Sequence, residues 1–268
     1  MKESSENILL IECNDDGILR LTLNDLDNKN ALSELMMQKL INAITESSKD
    51  NSIKVIVIAS TGNVFCSGHN LKEINEARNS DDSGESYYLE LFKTCSTLMQ
   101  LIVNCSKPVI AEVNGIATAA GCQLVASCDL AVSSNSAKFA TPGVNIGLFC
   151  STPMVALSRS VSKKDSMKML LTGDMINADE AKRISLINDF VSEKELTKSV
   201  MDLAEKISKK SASVVSIGKE AFYKQSELNL FDAYEYTSKV MTANTLNENA
   251  KEGIDAFLDK RDPNWKDM

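Results

Sequence analysis

Between residues 54 and 133 the chain alternates short, continuous apolar runs with helical patterns, and glycine-bearing turns stand at the junctions. The runs at 54–60 and 109–113 have the length and β-branched content of buried strands. Residues 84–104 repeat Tyr88, Leu91, Leu98, Leu101 and Ile102 along one helical face, and Lys107-Pro108 closes that element. A short helix over 119–127 and a strand over 129–133 continue the alternation. Strands joined through helices run parallel, so the pattern predicts an α/β fold with a mainly parallel sheet.

The flanks extend this frame. Residues 8–12 and 18–23 form a hairpin pattern around Asp15-Asp16-Gly17, and Ser33 is placed to cap a helix running to about residue 48. From residue 151 onward glycine and β-branched runs thin out, and helical patterns follow at 166–171, 178–185, 193–209, 211–228, 231–246 and 251–260. The expected organisation is a core over 1–197 and a helical oligomerisation region over 198–268. Residues 79–85, rich in Ser, Asp and Gly, are expected to be a mobile loop. No internal repeat is present.

Composition excludes several classes of function. The net charge of -8, from 29 basic and 37 acidic residues, disfavours nonspecific nucleic-acid binding. No apolar run approaches the about 20 residues of a membrane span. Seven cysteines, an odd number set mostly in apolar stretches, suit reduced buried thiols. With one histidine and no Cys-x-x-Cys pair, a zinc site is not expected. Residues 1–14 mix Lys2, Glu3, Glu6 and Glu12 with a short apolar run, unlike a secretory or transit segment, which predicts a cytoplasmic protein.

Two strand-to-helix turns stand out: Val64-Phe65-Cys66-Ser67-Gly68-His69-Asn70-Leu71-Lys72, and Asn114-Gly115-Ile116-Ala117-Thr118-Ala119-Ala120-Gly121-Cys122-Gln123. Neither matches a dinucleotide or phosphate-loop spacing. Helix starts offer unpaired N–H groups to negative charge, so two facing starts can make an oxyanion hole; small residues also serve close helix packing alone.

Several segments in order resemble the crotonase (enoyl-CoA hydratase/isomerase) superfamily: Asn30-Ala31-Leu32-Ser33, residues 65–73, Lys107-Pro108-Val109-Ile110-Ala111, Ala120-Gly121-Cys122-Gln123-Leu124-Val125, Cys128-Asp129-Leu130-Ala131, Leu171-Thr172-Gly173 and residues 253–261. The resemblance implies a ββα spiral core, a helical C-terminal region, and a homotrimer or dimer of trimers. It implies an acyl-CoA substrate whose thioester oxygen meets the backbone N–H groups of His69 and Ala120, with coenzyme A entering only as part of that substrate. By the same carry-over, Asn30, Ala31, Leu32, Cys66, Gly68, Asn70, Leu71, Lys72, Gly121 and Gly143 line the ligand. Phe257 and Lys260 reach it from a neighbouring subunit.

Hydratases of the family place water with two glutamates, and here Gln123 and Gly143 occupy those positions. Neither exchanges a proton near neutral pH. The position two helical turns past the second glutamate, used by some isomerases, holds Ser151. Three readings follow: an acyl-CoA enzyme doing other chemistry, such as decarboxylation or thioester cleavage; a non-catalytic acyl-CoA binder; or a hydratase or isomerase whose acid is relocated to Glu112 or His69. Asp129 is expected to be structural, and Cys66 and Cys122 to pack as small apolar residues.

Overall fold

The computed structural model describes residues 7–266. At its start β1 (Leu9–Cys13) and β2 (Ile18–Leu23) pair antiparallel, as the hairpin pattern predicts. Asn14 Oδ1 accepts from the amides of Asp16 and Ile18 and closes the turn in which Gly17 takes φ +74. Ser33 Oγ then accepts from Met36 N at 3.2 Å and caps α1 (Glu34–Lys49), which buries Met36, Met37, Leu40 and Ile44.

From here the chain builds two sheets in alternation. β3 (Val55–Ser60) joins a six-stranded sheet, and β4 (Val64–Cys66) leaves at once for a second, smaller one. After α2 (Leu71–Ala77) and α3 (Glu85–Asn104) the step recurs as β5 (Val109–Val113), β6 (Ile116–Thr118) and α4 (Ala120–Ser127). It recurs again as β7 (Leu130–Ser134) and β8 (Lys138–Ala140). Then follow α5 (Pro153–Ser160), α6 (Lys163–Thr172), β9 (Ile176–Asn177), α7 (Ala178–Arg183) and β10 (Asp189–Val191). The large sheet runs β1-β2-β3-β5-β7-β10 and is parallel after β1; the small one runs β4-β6-β8-β9. This is the expected α/β class, laid down as a ββα spiral. The small sheet and α2 escape sequence reading: strands of two or three residues have no measurable period, and α2 buries no residue completely.

Period-2 alternation assigns the two faces of the large sheet. Ile56 and Ile58 of β3 face the main core with α1, α3 and α4, while Val55 and Val57 face α8 (Glu193–Ser208) through Leu196, Val200 and Ala204. Residue 197, the expected end of the core, lies within α8, and α9 (Ala212–Ser226) follows it. Glu112 of β5 points to the α8 side. There it makes a bidentate ion pair with Arg20 and accepts from Thr197 Oγ1 at 2.7 Å, so it is no relocated acid.

Asp129 is likewise structural. It accepts from Val109 N and Lys219 Nζ, each at 2.7 Å, and from Tyr223 OH at 2.9 Å. Lys219 also donates to the carbonyls of Ile102 and Lys107, tying α9 to the end of α3. Its side chain is only 7% exposed, so Lys219→Met is expected to cost about 3 kcal/mol, the scale of breaking a buried pair, as a lower urea midpoint. Residues 79–85 form a bonded turn, with Gly84 N donating to Ser80 Oγ and Asp82 Oδ1. α10 (Leu230–Thr245) and α11 (Glu248–Asp259) complete the chain, and Phe231, Tyr234, Met241 and Phe257 remain exposed. No helix among the described residues is long and apolar enough to cross a membrane.

Candidate active site

The two glycine-bearing turns lie against each other. Thr118 Oγ1 at the end of β6 donates to Ser67 O at 3.1 Å, on the turn that follows β4. Gly68 has φ +93, and a Cβ added there would stand 2.9 Å from Ala119 Cβ and 3.3 Å from Ala120 N. A Cβ on Gly121 would stand 2.2 Å from Cys66 O. Both approaches are closer than any side chain allows, so glycine sets the spacing of the turns.

Ala119 carries the bend. Its φ of +50 with ψ of -118 is strained for a residue with a Cβ, and its N–H donates to Ala140 O at 2.9 Å. That reversal leaves the next amide, Ala120, outside the strand ladder at the first position of α4. Among the described residues neither the His69 nor the Ala120 N–H has an acceptor. Two uncommitted donors thus stand on abutting turns.

The loop before α1 is zipped to the first turn. Leu32 N donates to Gly68 O at 2.8 Å, Ser67 N donates to Lys29 O at 3.2 Å, and Leu32 pairs in parallel with His69. Lys29 and Asn30 take φ of +54 and +52. Asn30 is fully buried: its Oδ1 accepts from Asp25 N at 2.7 Å, and its Nδ2 donates to Thr61 O at 3.0 Å and Val64 O at 2.7 Å. Its side chain is spent inside the protein. What residues 30–32 can offer a ligand is main chain, since Ala31 and Leu32 are buried too. Asn70 is also committed, its Oδ1 capping α2 through Lys72 N at 3.0 Å. Leu71 and Lys72 lie exposed beside it, Lys72 Nζ reaching Asn28 Oδ1 at 3.5 Å.

Near the turns burial favours the uncharged forms of His69 and the cysteines. His69 Nδ1 lies 3.3 Å from Leu32 O, its ring meets Phe92 edge-on at 5.5 Å, and its Nε2 is buried without a partner. Burial pulls its pKa below the ordinary 6.5, against the weaker pull of the Leu32 carbonyl, so the ring is uncharged at pH 7. The unfolded chain gains a proton near pH 6.5 that the fold resists, so stability falls as pH drops through that value. A His69→Gln variant is expected to lose less stability between pH 7 and 5.5, measured as Tm against pH. Burial also pushes the thiols of Cys66, Cys95 and Cys122 up to about 12, which leaves no thiolate nucleophile.

Gln123 is 4% exposed and its Oε1 lies 3.8 Å from Cys95 Sγ. Gly143 packs so that a Cβ would come within 2.6 Å of Leu148 O and 2.9 Å of Cys150 Sγ. An acid that sequence reading did not single out is Glu73 on α2, four residues past His69. Its carboxyl is pushed up by burial and its Oε2 is sealed without a partner. It went unseen because α2 itself was not legible. Phe257, 83% exposed, and Lys260, at the C-terminus of α11, are not brought to the turns within one chain.

Comparison with known proteins bears on the fold and the family. The family described as Enoyl-CoA hydratase/isomerase matches residues 14–268. The chain is 48% identical over 249 residues to the enoyl-CoA hydratase domain-containing protein 3, mitochondrial, of Xenopus laevis, covering 93% of this chain and 83% of that protein. Among solved structures, the human enoyl Coenzyme A hydratase domain-containing protein 3 superposes with TM-score 0.91 at 47% identity, covering 96% of this chain and all of that one. An enoyl-CoA hydratase of Mycobacterium smegmatis gives TM-score 0.92 at 44% identity, covering 97% and 99%. The narrower likeness carried by residues 122–153 is to the same domain-containing protein 3 group.

These relatives correct one expectation. The frog, mouse and human proteins are named mitochondrial, which points to that compartment and not to the cytoplasm. The cytoplasmic expectation rested on the composition of residues 1–14, of which 1–6 lie outside the described residues. Composition of so short a stretch is a weak indicator beside relatives matched over nearly the whole fold. With a spiral of paired sheets, two abutting glycine turns and a family match spanning residues 14–268, the chain belongs to the enoyl-CoA hydratase/isomerase family and has the crotonase fold.

Proposed function

We propose that the chain binds acyl-CoA thioesters, holds the thioester oxygen between the N–H groups of His69 and Ala120, and converts the ester by a reaction other than 2-enoyl hydration. The observation that carries this reading is the contact of Gly68 with Ala119 and Ala120 while both amides stay uncommitted. Such donors stabilise an enolate or tetrahedral oxyanion, and one donor alone is worth about 100- to 1000-fold in rate. The CoA body runs along the main chain of Asn30, Ala31 and Leu32 and the exposed Leu71 and Lys72. Cys66, Gly68, Gly121 and Gly143 shape the wall, and Gln123 faces the acyl group.

The exposed apolar side chains of α9, α10 and α11 support a trimer or pair of trimers, in which Phe257 and Lys260 of one copy close the site of another. Light scattering on the purified protein checks the assembly. Mass spectrometry over a panel of acyl-CoA esters, including malonyl and 2-enoyl members, tests the reaction. Product from a non-enoyl ester with negligible hydration of crotonyl-CoA is the expected result, and efficient crotonyl-CoA hydration overturns it. A second reading, binding without turnover, is favoured by the loss of both acids at Gln123 and Gly143. It predicts calorimetric affinity for these esters with no product from any.

A further inference from the structure

Helix α3 touches both turn regions within one helical repeat. Phe92 meets the His69 ring edge-on at 5.5 Å, and Cys95 Sγ donates to Gln123 Oε1 at 3.8 Å, within the reach of a sulfur donor. Residues three apart on a helix are surface neighbours, so one short stretch of α3 serves both the His69 turn and the helix that Ala120 begins. Cys95 is fully buried and Gln123 nearly so. Burial pushes the thiol up to about 12, so it keeps its proton and remains a donor at neutral pH.

A glutamine carboxamide turns end for end at little steric cost, because its oxygen and nitrogen arms have nearly the same shape and its last torsion is broadly two-fold. Partners alone decide which arm faces which way. With Oε1 toward Cys95 the S–H finds an acceptor. With Nε2 there instead, the amide hydrogens would face a weak sulfur acceptor and the thiol proton would lose its partner. The thiol therefore favours the first arrangement and leaves the nitrogen arm on the other side. Gln123 Nε2 donates to no group among the described residues, yet it is not sealed as His69 Nε2 is. Its amide hydrogens remain for a ligand.

Resting on the acyl-CoA reading above, we infer that Cys95 is a positioning residue that holds the Gln123 carboxamide with its oxygen turned to α3 and its nitrogen turned to the acyl group. Gln123 then donates hydrogen bonds to the acyl group and accepts none, the reverse of what a carboxylate at the same place would do. Cys95 acts only through Gln123, and no covalent step is assigned to it.

Calorimetry on the full chain with acetoacetyl-CoA, whose acyl C3 bears an acceptor oxygen, and β-alanyl-CoA, whose C3 bears a donor ammonium, tests it. The wild-type protein is expected to bind the acetoacetyl ester about tenfold more tightly, the worth of one hydrogen bond. In Cys95→Val the thiol donor is gone and Gln123 is free to turn its oxygen outward. β-Alanyl-CoA then binds about fivefold more tightly than to the wild type, while acetoacetyl-CoA changes by less than about twofold. Cys95→Ser, whose hydroxyl accepts as readily as it donates, relaxes the choice in the same direction and carries the test if the valine variant does not fold. A merely structural role for Cys95 would weaken both esters together and strengthen neither. Equal affinity of the wild type for the two esters overturns the inference, as does an unchanged ratio in the Cys95 variants. Binding of neither ester to the wild type overturns the acyl-CoA reading itself, an outcome distinct from loss of the preference.

Discussion

Gly121→Ala is expected to lower affinity for, or turnover of, an acyl-CoA ester about 100-fold and to lower Tm as well. The added methyl would sit 2.2 Å from Cys66 O, so α4 must withdraw from β4 by roughly 1 Å before the contact becomes tolerable. A displacement of that size at a positioning element costs on the order of 100-fold in rate. Helix propensity argues the opposite, since alanine in place of glycine favours a helix by up to about 1 kcal/mol. Backbone overlap wins, because overpacking costs about 1–3 kcal/mol and neither Cys66 nor α4 can turn aside as a flexible side chain could. Calorimetric titration and thermal denaturation of the same variant decide the matter. A variant with raised Tm and undiminished affinity would show that the two turns do not depend on this approach.

Asn30→Ala is expected to cost about 4 kcal/mol, read as a lower urea midpoint. The substitution strands three partly buried backbone groups, Asp25 N, Thr61 O and Val64 O, and an unsatisfied group costs about 1–3 kcal/mol when fully buried, less where water reaches it. Alanine is also less tolerant than asparagine of φ +52. Ligand affinity should suffer with stability, since Lys29 and Leu32 on either side of Asn30 hold the Gly68 turn. Asn30→Asp separates the terms. It retains the acceptor for Asp25 N and turns the donor into an anion facing two carbonyls, so it should be at least as damaging as alanine.

The large sheet and its long helices were legible because β3 and β5 are continuous apolar runs, and because α3 repeats its buried Leu91, Cys95, Leu98 and Ile102 at helical spacing. Gly68 and Gly121 were visible as turn residues, yet their purpose was not. The close approach of Gly121 to Cys66, where an added Cβ would stand 2.2 Å from the carbonyl oxygen, joins segments more than fifty positions apart, and no local pattern encodes it. Asn30 lined the expected ligand in the sequence reading, whereas its side chain is consumed by three main-chain partners. Motif resemblance places a residue beside a site; hydrogen-bond completeness decides whether it faces in. Glu112 stood as a candidate relocated acid in the sequence, and only the fold shows it turned toward Arg20 and Thr197. Glu73 stayed silent because α2 is too short to show a period and the burial of its Oε2 emerges only from the fold.

The packing around residue 143 bears on whether a carboxylate side chain could be accommodated there. The main-chain oxygen of Leu148 and the sulfur of Cys150 have closed over the place where a carboxylate arm would leave the backbone. Writing glutamate into that position therefore supplies an acid with nowhere to go, and the 148–150 segment must first be remodelled. A glutamate placed at this position is thus barred by packing as well as unsupported by its surroundings, and the variant should be a poorly folded protein sooner than a hydratase.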